Sequence, residues 1–269
     1  MVSLEEIDKG GGGHTVLSWQ QCTSRQRVVW SRMTFVDRML AHVSTAVLSA
    51  SARARAKRAK LLHDELSPRA DWAVLDLGSA DGQHIHSIPP ECKRVCLADV
   101  DVEAASAGAR HYGYDFVQLV GDGPLPFSEG HFDLVFCSSV LEHVTGPKRA
   151  ASGETDSTAF ENTAARYQAQ FASEIRRISR SYFVQTPYRY FPIDSHTWLP
   201  APVALLPRPL LLRLLRVTNR YWIKHTEPDW HLLSRRRMAA LFPDARIVTE
   251  RFCGLPKSLV AIRDGREHG

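Results

Sequence analysis

The chain has 269 residues, 44% of them hydrophobic and 23% charged, with a formal net charge of +5. The length suits one large globular domain with additions, and no run of about 18 apolar residues offers a membrane-spanning helix. The five cysteines, Cys22, Cys92, Cys96, Cys137 and Cys253, are scattered and odd in number, which argues for a reduced, cytoplasmic protein rather than a disulfide framework.

In chain order, MVSLEEIDKGGGGH opens a stretch, residues 1–24, that reads as a mobile tail without a signal peptide. Residues 25–66 read as a helical extension. FVDRMLAHVSTAVL carries apolar residues at helical spacing, and the basic run SARARAKRAK at 51–60 continues it. That run reads either as a solvated face or as a surface for nucleic acid or lipid headgroups. Residues 67–269 read as the main domain. WAVLDLG, RVCLADV, YDFVQLVGD, FDLVFCSSV and SYFVQTP read as five strands, with a short helix or turn at IHSIPP and helices at VEAASAGARHYG and AFENTAARYQAQFASEIRRISR. TGPKRAASGETDSTA reads as a polar loop of poor order. SRRRMAALF, ARIVTERF and KSLVAIRD add a helix and two last strands. This alternation predicts an α/β fold: a doubly wound, mostly parallel sheet covered on both faces. Residues 187–231, rich in proline and aromatics, interrupt the pattern where a cap would sit over the carboxyl ends of the strands.

Ligands of open parallel sheets bind beyond those carboxyl ends. Here the first strand end carries Asp76, Gly78, Ser79, Ala80, Asp81 and Gly82, and the second carries Asp99. The third has Gly121, Asp122 and Gly123, and the fourth has Ser138 and Ser139. Glycines at the first end let backbone lie against a ligand. An acid at the second can accept two ribose hydroxyls, and one at the third an adenine amino group. Any one of these signals alone is also explained by a turn or a helix cap; their series is what points to a nucleoside site. GSADG lacks the GxGxxG spacing that seats a dinucleotide's pyrophosphate at a helix N-terminus, and a cofactor with no phosphate does not need it. His84 and His86 form an HxH that no nearby ligand set completes, and no Cys/His zinc spacing occurs, so no metal is expected.

LDLGSADG, ADVD and VGDGPLPFSEGHFDLVFCSSVLEHV resemble the successive motifs of class I S-adenosylmethionine-dependent methyltransferases, in their small-molecule, type 11-like branch. The resemblance covers roughly residues 72–186. It implies a Rossmann-like fold and S-adenosyl-L-methionine as cofactor. By position it implies that Asp76, Gly78, Ser79 and Gly82 form the loop around the methionine part and that Asp99 is the ribose acid. Asp122 and Gly123 would be the adenine-side pair, and Ser138 and Ser139 would flank the amino-acid end. The family's middle glycine is Ala80 here, an added methyl that fits if Ala80 keeps a negative φ.

The implied reaction is an in-line displacement onto an O, N or C nucleophile of a small-molecule or glycan- or lipid-linked acceptor. His143, His196 and His225 are candidate bases, His196 and His143 first among them, with Asp194 two residues before His196 to orient its imidazole. Each histidine also reads as structural, and Glu142 reads as solvated or capping. TPYRYFPIDSHTWLP resembles a stretch that follows the fifth strand in a subset of these enzymes, and Tyr188, Arg189 and Tyr190 fit a substrate-pocket lining. His225, Asp229 and His231, beside Trp222 and Trp230, read as lid or fold support. In LLLRLLRVTNR, Arg213, Arg216 and Arg220 share one helical face opposite Leu211, Leu214 and Leu215. Residues 210–220 therefore suit a cap, peripheral membrane contact, or both. A cytoplasmic location is expected. Nucleic acid is not expected, since CSSV replaces an Asn-Pro-Pro-Tyr-type motif, although an RNA methyltransferase and a noncatalytic partner of the same fold stay as alternatives.

Overall fold

The computed structural model describes residues 52–78, 80–88, 92–120, 123–200, 203, 205–222 and 224–268. The expected tail and residues 25–51 of the helical extension lie outside them. Described residues from Arg55 onward belong to one compact unit.

Seven strands form one sheet in the order β3-β2-β1-β4-β5-β7-β6. They are β1 (Ala73–Leu77), β2 (Arg94–Asp99), β3 (Asp115–Gln118), β4 (Phe132–Ser138), β5 (Ser179–Pro187), β6 (Arg246–Phe252) and β7 (Leu255–Arg263). The first five run parallel, and β7 pairs antiparallel with both β5 and β6. Strand order reverses between β1 and β4, so the crevice above that pair is where a ligand belongs. The predicted doubly wound, mostly parallel sheet is the observed one.

The helices are α1 (52–66), α2 (Gln83–His86), α3 (Val102–Tyr112), α4 (Lys148–Gly153), α5 (Ser157–Ile178), α6 (Arg208–Tyr221) and α7 (Arg235–Leu241). Strand side chains alternate between two cores, as a sheet covered on both faces requires. Leu75, Val135, Tyr182 and Ala261 face α5 and α7. Val74, Leu134, Phe183 and Val260 face Leu62 and Leu66 of α1, Ile85 of α2 and Ala109 of α3. The 22-residue α5 starts where the Asp156 carboxylate accepts the Thr158 and Ala159 amides, and its buried stripe runs Phe160, Ala164, Gln168, Ala172, Ile175. A third, small core joins the inner face of α6, Leu211 and Leu215, to Val203, Trp230 and Leu232.

The polar run after β4 is not a poorly ordered loop. It contains α4, followed by the cap of α5. Tertiary contact overrides the weak local signal. The Arg208 guanidinium, only 4% exposed, lies 3.7 Å over the Phe160 ring and donates to the carbonyls of Ala151, Glu154 and Pro228. It thereby satisfies the C-terminal end of α4.

Candidate active site

The site begins at Gly78, where β1 ends at φ +81 and the amide donates to the Ala98 carbonyl at 2.8 Å. A Cβ there would sit 2.7 Å from Val140 Cγ2, so only glycine lets Val140 pack against this turn at the cavity. Ala80 follows at φ +60, in the left-handed region. The negative φ under which an alanine fits without strain is therefore absent: the loop keeps its glycine-type turn around an alanine, at a cost of roughly 1–2 kcal/mol. The Ala80 amide donates to Asp99 Oδ2 at 2.8 Å, and the Asp101 amide to Oδ1 at 2.9 Å. The Asp99 carbonyl accepts the Leu119 amide at 2.9 Å. One residue thus ties the loop after β1 to the ends of β2 and β3. Gly108 of α3 was not singled out from sequence, yet a Cβ on it would overlap the Asp81 carbonyl, so α3 can approach this loop only through glycine.

Above this floor lies a cavity of about 1480 Å³. That exceeds the usual volume for one small ligand and leaves space for two side by side. Of the expected cofactor residues, Gly78, Asp99, Gly123 and Ser139 line it. Asp76 is buried within β1, and Gly82 supports the start of α2, where a Cβ would meet Leu97 Cδ1 at 2.8 Å. The Ser138 hydroxyl points away, to Gln185 Oε1 at 2.7 Å, and accepts from Arg58 Nη1 at 3.5 Å. Arg58 also donates to both oxygens of Glu250, so this member of the basic run is not solvated. Ser79 and Asp122 lie outside the described residues.

The far wall of the cavity is a cluster of histidines and carboxylates. A short 3-10 turn, Leu141–His143, follows β4 and carries Glu142 and His143. Glu142 is fully buried, not solvated, and accepts the Thr186 hydroxyl on Oε2 at 3.0 Å. Among the described residues, its Oε1 has no hydrogen-bond partner. His143 lines the cavity and shares Nδ1 with Asp229 at 3.2 Å. Burial pushes its pKa down, but the hydrogen bond to Asp229 and the Glu142 charge outweigh this and leave it raised. His196 also lines the cavity. Its Nδ1 meets Asp194 Oδ1 at 3.3 Å, and its Nε2 lies 3.9 Å from Glu142 Oε1. Burial raises the Asp194 carboxyl, but the bonds from His196 and from the Thr197 hydroxyl and amide hold it below its ordinary value. The His196 ring stacks on Trp230 at 4.9 Å and stands edge-on to His143 at 5.0 Å.

The three expected catalytic residues therefore meet at one place. Asp229 and Trp230, read from sequence as lid or fold support, belong to the same cluster. His231 does serve the fold: it bonds Gln168, and burial with nearby arginines pushes its pKa down to about 4. Tyr188, Arg189 and Tyr190 do not line the cavity. Tyr188 bridges to Leu233, Arg189 lies 3.8 Å from Glu161, and Tyr190 is exposed.

The floor fits a phosphate-free nucleoside cofactor. Gly78 offers uncovered backbone, Asp99 a carboxylate with spare lone pairs, and Val100, Leu119 and Leu125 apolar walls. Residues 75–153 match the model of a methyltransferase domain family, a span that runs from β1 to the end of α4. No curated protein matches the chain. Similar solved structures include an S-adenosylmethionine-dependent methyltransferase from Mesorhizobium loti, 13% identical, covering 72% of this chain and 92% of that one at a TM-score of 0.44. Another is the N-methyltransferase NodS from Bradyrhizobium japonicum, 13% identical, covering 78% and 94% at a TM-score of 0.41. A third, an S-adenosylmethionine-dependent methyltransferase from Methanosarcina mazei, is 12% identical and covers 75% and 95% at a TM-score of 0.43. The matched segment, residues 75–153, builds both the strand ends and the floor of the cavity as a methyltransferase domain of the type 11 kind, and the cofactor this match implies is S-adenosyl-L-methionine.

Proposed function

We propose that this protein transfers a methyl group to an O, N or C nucleophile of a small-molecule or glycan- or lipid-linked acceptor. The observation that supports this reading is a single cavity lined at one end by Gly78, Asp99 and Ser139 and at the other by His143 and His196. When bound, S-adenosyl-L-methionine supplies an electrophilic methyl group on a sulfonium sulfur. Asp99 would accept the ribose hydroxyls, Gly78 would lie under the methionine part, and Val100 and Leu119 would flank the adenine. His143, backed by Asp229, faces the space left for the acceptor and is placed to orient it and receive its proton. His196, pinned between Asp194 and Trp230, sets the shape of that wall.

We place the protein in the cytoplasm. Among the described residues no helix is long and apolar enough to cross a membrane. The outer face of α6 exposes Arg213, Arg216 and Arg220 beside Leu210 and Val217, a composition suited to an anionic lipid surface. Isothermal titration with S-adenosylmethionine tests the reading at its base: binding is expected, and it should be lost in Asp99→Ala. A panel of hydroxyl, amine and lipid-linked acceptors, assayed by release of S-adenosylhomocysteine, then tests the acceptor class. Turnover of none of them by the cofactor-bound protein would count against catalysis.

A further inference from the structure

We propose that Glu142, His143 and His196 bind a divalent first-row transition-metal cation at the acceptor end of the cavity. One ligand atom from each residue lies within 4.8 Å of the other two. Metal–nitrogen and metal–oxygen bonds of about 2.0–2.2 Å bring such donors to about 3–3.5 Å from one another, so small side-chain adjustments seat the ion.

Two further observations point to a cation. The first is the carboxylate. Glu142 is 0% exposed, and among the described residues its Oε1 has no donor, while Oε2 is satisfied by Thr186. A desolvated carboxylate oxygen left without a partner is costly, and a cation facing the two imidazoles removes that cost. The second is the arrangement behind the histidines. His143 Nδ1 is held by Asp229, and His196 Nδ1 by Asp194. The Thr197 amide and hydroxyl fix Asp194 Oδ2, each at 2.7 Å. A carboxylate on one ring nitrogen fixes the tautomer, orients the ring and leaves the other nitrogen to a metal, the pattern that surrounds metal-bound histidines. Trp230 adds a stacking surface that holds the His196 plane.

Two imidazoles and one carboxylate suit zinc, cobalt, manganese or iron better than calcium or magnesium, which favour all-oxygen sets. Three protein ligands leave coordination positions open, and His143 and His196 both line the cavity. This deepens the proposed function and rests on it for the ion's purpose. An acceptor hydroxyl oxygen would take one of the open positions, the ion would lower its pKa so that its proton passes to solvent water, and His143 would then orient the acceptor through the ion, replacing the direct proton transfer of the metal-free reading. Sequence spacing gave no hint of such a site, because Glu142 and His143 stand more than fifty positions from His196.

The test uses the full-length protein, stripped with chelator and dialysed. It is titrated with Co²⁺, followed by visible absorption, and with Zn²⁺, followed by calorimetry. One equivalent of each ion should bind. Glu142→Gln and His196→Asn should each weaken binding at least about tenfold, and Asp194→Asn, which removes a positioning carboxylate, about 10- to 100-fold. Circular dichroism and S-adenosylmethionine titration on the same samples report folding and the cofactor site. If Glu142→Gln does not fold, His143→Asn at the more exposed ligand carries the same test. Wild-type protein that binds S-adenosylmethionine but neither ion overturns the metal site and leaves the cofactor reading standing. A Co²⁺ affinity unchanged in folded His143→Asn/His196→Asn protein overturns it too. Stoichiometric Co²⁺ without S-adenosylmethionine binding supports the metal site and counts against the cofactor reading.

Discussion

The cofactor floor of the cavity is made of backbone turned at strand ends, whereas its acceptor wall is made of paired side chains from distant segments. On the floor, Gly78, Ala80 and the amides around Asp99 come from one continuous stretch, and their positions are dictated by φ angles and by the spacing of strand–helix units. On the wall, Glu142, His143, Asp194, His196, Asp229 and Trp230 are gathered by a turn, a cap and a loop, and charge pairing holds them. The family match shows the same division. It ends at residue 153 and so contains the floor, Glu142 and His143 but none of the other wall residues. Backbone constraints serve a cofactor that is always the same. Side-chain constraints can be retuned for an acceptor.

Four experiments test whether floor and wall behave differently. The largest effect is expected on the floor. Asp99→Ala leaves the Ala80 and Asp101 amides without their acceptor and removes the proposed ribose acceptor. Unfolding in urea should show a loss of about 3–4 kcal/mol, and S-adenosylmethionine binding should disappear. Next comes the brace of the wall. Arg208→Ala strips three carbonyls of their donor and Phe160 of its cation, which should cost about 3 kcal/mol. If floor and wall are separable, hydrogen exchange will speed up in α4 and α6 while S-adenosylmethionine affinity stays within about threefold of wild type.

A smaller, pH-dependent effect arises beneath the floor. Burial, aided by Arg58 and Arg55, pushes the His84 pKa from 6.5 down to about 4, with its ring edge-on to Phe136. Between those values the unfolded chain binds the proton and the folded one does not. The stabilisation is therefore complete above pH 6.5 and is lost as pH falls toward 4, amounting to about 2 kcal/mol between pH 7 and pH 5. His84→Phe should flatten that part of the urea-midpoint profile; an unchanged slope would mean that another group carries it. The smallest effect is expected at Ala80→Gly. Relief of the φ +60 strain should exceed the added unfolded-state freedom by about 0.5 kcal/mol and raise Tm by one or two degrees.

The sheet, its order of elements and the chemistry of its strand ends were legible in the sequence, because apolar strands, N-capping Asp101 and the αL Gly113 that ends α3 are local signals. Misreadings occurred where local chemistry is ambiguous and tertiary contact decides. α4 read as a loop because its C-terminal carbonyls are satisfied by Arg208, more than fifty residues away. Glu142 read as solvated because nothing beside it in sequence shows Thr186 above it or His196 before it. His143 and His196 were each nameable, but their meeting was not. Tyr188, Arg189 and Tyr190 looked like pocket residues because they open the cap segment, in a run resembling one that follows the fifth strand in related enzymes, yet none of them lines the cavity and Tyr188 bridges to Leu233.

The amides of Ala80 and Asp101 grip Asp99 from two sides. Each carboxylate oxygen has about two lone-pair directions, and on each oxygen one is already taken by a backbone amide. The carboxylate is therefore locked in rotation before any ligand arrives, with one acceptor direction left per oxygen for the two hydroxyls of a ribose. A free side chain would lose about 0.5–1.5 kcal/mol of motional freedom on capture, and this one has already lost it during folding. If Asp99 takes the proposed ribose role, cofactor affinity is partly a by-product of how the chain closes its own strand ends.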